Sequence, residues 1–377
     1  MKKIITSIAL ILSASLCFSG CGLMGGSCSG GSSTPTYTSA WTNTQEDTIG
    51  LSETLTYDVN YQDDLTIGKT SYKNTVKKTV MDFSYGTGTY STTVTVVKAE
   101  KSLLGEYSSE VLNDIVDSTD QSILKRIFKY TTRLDIPFTY KYGDMTDYVT
   151  NNDFIQTETY MLLSGNSFAP IFTENTTYVS FVSAGKSPFV EQQHYDTVTI
   201  YNNKTLTTTT KVYYTKAEND HEIGDIADEK TTTSKYSFRS TLENAALLFA
   251  FRSLDLSGKT TTVSVYSHVY TSPKSLNISS AEAAAERFNI TLNGTVIPEE
   301  EIQLNAYSFV LNTTSGCTTG RNTGRSQIFY INKSMETPPQ SIGSNRTLIM
   351  RYVEPLVEYS SYNSMGALVY SLRSIDF

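Results

Sequence analysis

The sequence predicts a mainly β protein: a curved antiparallel sheet, or incomplete β-barrel, wrapped around one short buried helix. Three observations lead there. The chain is rich in Tyr, with 26 Tyr and 16 Phe among 377 residues, and in Thr, and both types suit a half-buried pleated strand surface. Short stretches alternate apolar and polar residues with a period of two. One stretch alone, residues 240–258, carries a strong helical signal that is apolar on nearly all sides.

Ser240 and Glu243 fit the S-x-x-E capping box, in which hydroxyl and carboxylate each satisfy a free backbone N–H. Leu242, Ala245, Ala246 and Phe249 follow at helical spacing, and Leu247, Leu248, Ala250 and Phe251 fill the other face. A helix apolar all round has to be buried all round. The surrounding chain is mostly strand, so strands must do the covering.

The N-terminus sets the compartment. Lys2 and Lys3 precede an apolar run, residues 4–16, that is too short to span a bilayer. Phe18-Ser19-Gly20-Cys21 then resembles the bacterial lipobox, with Phe18 where Leu is usual. The resemblance implies cleavage before Cys21, diacylation of its thiol, and stable anchoring at a membrane surface outside the cytoplasm. Residues 1–20 are thus expected to be a lipoprotein signal peptide. Residues 21–48, rich in Gly, Ser and Thr, read as a flexible tether, and residues 49–377 as the β-rich domain. Without the leader, 38 acidic residues face 28 basic ones, a net charge of −10. That balance argues against a nucleic-acid partner or a polybasic membrane patch.

Along the domain, Leu55, Tyr57, Val59 and Tyr61 alternate with Thr56, Asp58 and Asn60, a clean strand with one wet face. Residues 72–83 give a less regular strand signal. Tyr90, Val94 and Val96 alternate with Ser91, Thr93 and Thr95. Residues 108–116 are a candidate short helix. Pro137 splits residues 123–142 into two expected pieces. Strands are expected at 154–163, 177–182, 195–202, 205–216 and 231–238, with an acidic loop at 217–229. After the helix come strands at 260–270, 288–292, 303–311, 327–331, 347–353 and 367–372, and a short Ala-rich helix at 280–287. Inward-facing residues such as Tyr57, Val94, Val96, Phe309 and Tyr352 are expected to form core.

Three stretches in the second half, residues 190–377, carry a family likeness. They are Tyr195-Asp196-Thr197-Val198 with Lys204-Thr205-Leu206, residues 247–256, and residues 346–350 with 366–372. Together they resemble the bacterial domain-of-unknown-function family 3108, exported proteins with an incomplete antiparallel barrel around a helix. That architecture is similar to the lipoprotein carriers LolA and LolB, which hold acyl chains. The resemblance implies fold and export, not chemistry.

The chemistry-bearing patterns fall short of sites. His194, His221 and His268 form no ligand pattern, although His194 and Asp196 share a strand face. The acidic loop lacks calcium-loop spacing. Gly165-Asn166-Ser167 misses the nucleophile elbow, and Ser122–Lys125 and Ser183–Lys186 match S-x-x-K without its companion motifs. Gly320 to Ser326 is one residue short of a phosphate loop and has Arg for Lys. Cys28 and Cys317 are left once Cys17 goes with the leader and Cys21 is acylated. Two free thiols are the preferred reading, and a disulfide between tether and loop the alternative.

These readings lead to the expectation of a non-enzymatic, membrane-anchored extracytoplasmic lipoprotein that binds or shields an apolar envelope molecule in a half-open barrel. It needs no metal or cofactor. The alternatives are a structural or adhesive envelope protein without a small ligand and, last, an extracellular hydrolase.

Overall fold

The computed structural model describes residues 49–67, 70–76, 81–112, 127–164, 167–183, 188–202, 205–214, 227–232, 241–252, 260–266, 274–281, 286–302, 305–312, 327–332, 348–357 and 363–377. These form one large eighteen-stranded sheet, a separate two-stranded hairpin and two short helices. The chain starts with β1 (Ser52–Gln62), the hairpin of β2 (Asp64–Ile67) and β3 (Thr70–Lys73), then β4 (Met81–Tyr85) and β5 (Gly88–Val97). After the helix Ser108–Val111 come four long strands: β6 (Ile127–Tyr142), β7 (Val149–Ser164), β8 (Ser167–Ser183) and β9 (Phe189–Asn202). β10 (Thr207–Tyr214) and β11 (Ala227–Thr232) follow. Next come β12 (Thr241–Glu243), a 3-10 turn (Asn244–Ala246) and the helix Leu247–Phe251. β13 (Thr260–Tyr266), β14 (Lys274–Ala281), β15 (Glu286–Leu292), β16 (Thr295–Ile302), β17 (Asn305–Asn312), β18 (Gln327–Asn332), β19 (Leu348–Val357) and β20 (Ser364–Asp376) complete the chain.

The ladders run β11–β10–β9–β8–β7–β6–β5–β1–β20–β19–β18–β17–β14–β13–β12. All are antiparallel except the last, between β12 and β13. β4 takes over from β5 along the second half of β6, and the β15–β16 hairpin touches the end of β20 in parallel. Among the described residues no ladder joins the end strands β11 and β12. The sheet is curved and incomplete as a barrel, the fold class expected from the sequence.

The apolar helix lies inside this curve. Leu247, Phe249, Ala250 and Phe251 are buried, and only Leu248 and Ala245 are half-exposed. Its core includes Leu55, Tyr57 and Val59 of β1, Val94 and Val96 of β5, Phe128 and Tyr130 of β6, and Leu348, Ile349, Met350, Tyr352 and Val353 of β19. The inward roles expected for Tyr57, Val94, Val96 and Tyr352 hold. Phe309 lies on β17, but its side chain is outside the described set. A second core sits on the opposite face of β6–β9. Ile127, Tyr160, Leu162, Ala169, Phe172, Val198 and Ile200 pack there under Leu104, Val111 and Leu112. Alternation along each strand thus feeds two cores.

Four local expectations need correction. The α-helix is five residues long behind a three-residue 3-10 turn, shorter than the expected 242–251, because Thr241–Glu243 is drawn into a parallel ladder with Ser264–Tyr266. Glu243 ends that strand, and its buried carboxyl accepts from the Tyr201 hydroxyl and faces the backbone amides of Asn244 and Ala245; Ser240, its partner in the capping box, lies outside the described residues. β6 runs through Pro137 unbroken. The ladder from β5 ends at Asp135 and that from β4 begins at Phe138, so the missing N–H falls in the gap, where the Pro137 carbonyl accepts from Gly86 N at 2.8 Å. The Ala-rich stretch is not a helix over 280–287. Ser280 and Ala281 end β14, paired with β17, and Glu286 begins β15. Ala227 to Glu229 belong to β11 instead of a loop. The candidate helix at 108–116 is present over Ser108–Val111. No described helix is long and apolar enough to cross a membrane.

Because the helix is sheathed, Phe249→Ala should cost about 3–5 kcal/mol of stability and half-exposed Leu248→Ala clearly less. Equal losses in urea unfolding would contradict the sheathed arrangement.

Candidate functional site

The inner surface of the barrel has two characters. Around the helix it is aromatic: the Phe249 ring lies 5.1 Å from Tyr130, 5.0 Å from Phe168 and 6.0 Å from Phe128. On β7–β10 it is a wall of small polar groups. Thr159, Thr173, Thr199 and Thr210 stand side by side on four successive strands, with Thr157, Asn175 and Thr197 in the next row. All are buried, so their hydroxyls need partners. They bond to each other: Thr157 Oγ1 donates to Asn175 Oδ1 at 2.9 Å, Asn175 Nδ2 to Thr177 Oγ1 at 2.7 Å, and the Thr199 and Thr210 hydroxyls meet at 3.1 Å.

The segment 241–252 matches both surfaces. Leu242, Ala246, Leu247 and Phe249 join the aromatic core, whereas Glu243 reaches across to Tyr201 of β9. β12 packs against β8, and the 3-10 turn against β7. The segment acts as an amphipathic plug in an amphipathic sleeve. At its end Arg252, 5% exposed, forks onto Glu53 of β1, 2% exposed, with Nη1–Oε1 2.5 Å and Nη2–Oε2 3.2 Å. Burial opposes the charge on Arg252, but Glu53 beside it more than offsets this and its pKa is raised.

Three other buried carboxyls lack a cationic partner among the described residues. Burial pushes Glu243 up to about 8, against the backbone amides of Ala245 and Asn244. Burial pushes Asp153 of β7 up to about 7, although it accepts from Ser180 N and Oγ, both at 2.8 Å. Burial raises Glu354 of β19 well above the usual range; its Oε2 accepts from the Tyr370 hydroxyl at 2.6 Å and its Oε1 has no partner.

The barrel is closed by the plug in its middle and lined with half-buried rings at one end. Phe138, Tyr140 and Tyr142 follow one another on the inner face of β6, stacked at 5.7 and 5.9 Å. Phe138 is fully buried, Tyr140 and Tyr142 half-buried. Tyr85 lies 4.9 Å from Phe138 and 5.4 Å from Tyr61, and Phe83 completes the ring of side chains. The Tyr61 hydroxyl donates to Met365 O at 2.8 Å and accepts from Asn74 Nδ2 at 2.8 Å.

Cys21, Cys28 and Cys317 lie outside the described residues, as do His221, His268, Ser122, Lys125 and the stretch 320–326. His194 stands on the outer face of β9, edge-on to Tyr178 at 5.2 Å, on the same face as Asp196. Ser167 opens a strand that pairs directly with β7, so it is not on a strand-to-helix elbow. Among the described residues no group of three His, Cys, Asp or Glu side chains is placed to hold a metal ion. The aromatic end went unread in the sequence, because its rings come from β1, β4 and β6. The polar wall did leave a trace, as the alternating Thr157/Thr159, Thr173/Thr177 and Thr197/Thr199 and the Thr run of 207–210.

The chain matches no protein-family model, and no curated protein matches it. Among solved structures it is similar to a β-barrel-like protein of domain of unknown function DUF1849 from Brucella abortus. That similarity has 6% sequence identity and a TM-score of 0.35, over 88% of this chain and 99% of the other.

Carboxyls raised in the folded state bind their proton more tightly folded than unfolded, so stability is full below their ordinary values of 3.8 and 4.5 and is lost as pH rises toward 7 and 8. The urea midpoint should therefore fall between pH 5 and pH 9, and Glu243→Gln should flatten that fall. A midpoint that rises over this range would show the sign to be wrong.

Proposed function

We propose that the protein is a non-enzymatic, lipid-anchored extracytoplasmic protein that holds or shields an apolar envelope molecule at the open, aromatic end of its incomplete barrel. The observation that carries this reading is the row Phe138–Tyr140–Tyr142, which runs from the sealed core to half-buried rings. Half-buried stacked rings offer a large apolar surface that the fold itself leaves partly uncovered. The plug occupies the middle of the barrel, so the molecule would rest against the mouth and not thread the interior. The likeness of residues 195–198 with 204–206, 247–256, and 346–350 with 366–372 to family 3108, with its exported half-open barrels, supports the same direction. The leader and Phe18-Ser19-Gly20-Cys21 support export and anchoring through Cys21.

A second reading, a structural envelope spacer with no ligand, draws on the filled interior: the rings around Phe249 leave the described core closely packed. The two readings part at the mouth. Full-length protein purified from a bacterial host should release a co-purifying apolar molecule on solvent extraction, seen by mass spectrometry. A Tyr140→Ala, Tyr142→Ala protein should release several-fold less. Equal yields, or none from either, would favour the spacer.

The anchor has its own test. A host fed an alkyne-tagged palmitate should label the wild-type chain, and Cys21→Ser should abolish the labelled band while a precursor of higher mass accumulates. Label on the Cys21→Ser chain would place the acyl group elsewhere.

A further inference from the structure

The mouth carries more than apolar surface. Four rings, Tyr61, Phe83, Tyr85 and Phe138, enclose its base with centroids 4.9–6.3 Å apart. Carboxyls approach this ring from three walls. Asp63 follows β1 and neighbours both Asn74 and the Tyr61 hydroxyl. Asp153 of β7 stands opposite Ile136, one step along the inner face from Phe138, and Glu354 of β19 is in register with Leu368 of β20 and through it with Tyr61 of β1. Elsewhere the fold neutralises a buried carboxylate with a forked arginine, as at Glu53. Here it does not. Among the described residues no Lys, Arg or His pairs with Asp153 or Glu354. Glu354, 0% exposed, even leaves Oε1 without any partner. An oxygen buried without a partner is costly, and a ligand donor would remove that cost.

We propose that the mouth binds an amphiphile with a cationic head, its ammonium-type group seated among Tyr61, Tyr85 and the carboxyls of Asp63, Asp153 and Glu354, and its hydrocarbon body lying along Tyr140 and Tyr142. Ring faces carry the negative end of their quadrupole and attract cations. The carboxyls add the same sign of potential from three sides, so a cation gains from both and an anion loses to both. The tyrosine row gives the hydrocarbon its surface. The charge on the head also explains why Asp153 and Glu354 would be kept without basic partners in a place where burial alone favours their neutral form. This inference rests on the reading that the mouth holds an apolar molecule, and it adds the sign of the head group.

The test uses three probes with one twelve-carbon chain on the full-length protein, each below its micellar concentration: dodecyltrimethylammonium, a neutral dodecyl glycoside and dodecyl sulfate. Calorimetry should give saturable binding of the cation about tenfold tighter or more than of the other two. At pH 6.5, runs in buffers of different ionisation enthalpy should show protons released with the cation only. Glu354→Gln should bring the cation down toward the neutral probe and leave the neutral probe unchanged. Asp63→Asn, at an exposed position, should do the same more weakly and covers the case in which the buried variant does not fold. Equal binding of all three probes would overturn the cationic preference and leave the apolar mouth standing. Tighter binding of the sulfate would also overturn it. Binding of none would overturn both.

Discussion

The structure turns on desolvating the plug. Residues 241–252 place large rings, a buried acid and an arginine in the middle of a sheet, and each needs a matching wall. The rings find β1, β5, β6 and β19. The arginine finds Glu53 in a forked pair. Removing two charges from water costs several kcal/mol per ion, and a buried pair recovers this only with good geometry. What the pair supplies is position. Its two contacts join residues 199 apart in sequence and fix the depth of the plug relative to β1, the strand between β5 and β20. Tyr57 and Tyr130 are buried in the core beside the plug, and the Tyr57 hydroxyl donates to Ile349 O at 3.0 Å. The approach of β1 to β20 is close enough that a Cβ on Gly366, at φ +85°, would stand 2.4 Å from Gln62 O, so only glycine fits there.

The wall opposite the rings shows why a sleeve can be half polar without falling apart. Threonine is β-branched and holds a strand as well as valine does. Its hydroxyl adds a requirement for partners, met across the ladder by the neighbouring threonines and Asn175. Since alternate residues of the same strands build the outer core around Leu162 and Ile200, β7–β9 are clamped from both faces. The plug's polar edge therefore meets a rigid surface already satisfied in hydrogen bonds, and Glu243 needs from it only the phenol of Tyr201.

How much of this could be read from the sequence follows from how local each signal is. Alternation in β1 and β5 is a matter of a few neighbours, and the fold follows it. The all-round apolar character of residues 242–251 forces burial whatever the backbone does, and burial is what the fold delivers. Helix length is less local: the start of that segment had to choose between its own first turn and a ladder with β13, and the ladder won. Pro137 misleads because its effect depends on whether its neighbours on β4 and β5 need the missing N–H. The strand β16 is absent from the expected elements although Asn293 and Gly294, at φ 44° and 76°, form the turn that Asn-Gly favours between antiparallel strands: alternation is weak in a strand that reads Pro-Glu-Glu-Glu at its centre. The aromatic mouth depends on strands brought together by the whole topology, which no window of sequence contains.

The two ends of β1 give the molecule a direction. Gly50 N bonds to Val96 O at 2.9 Å, and Ser52 pairs with Thr95, so the chain emerging from residues 21–48 joins one end of the barrel. Tyr61 and the aromatic rings stand at the other end of the same strand, about 35 Å away at the usual rise for eleven residues. The point where the chain enters β1 and the mouth are thus separated by the height of the sleeve. The plug, tied to β1 through Glu53 near the entry end, stands between that end and the rings, so the aromatic mouth is walled off from the end at which the chain enters.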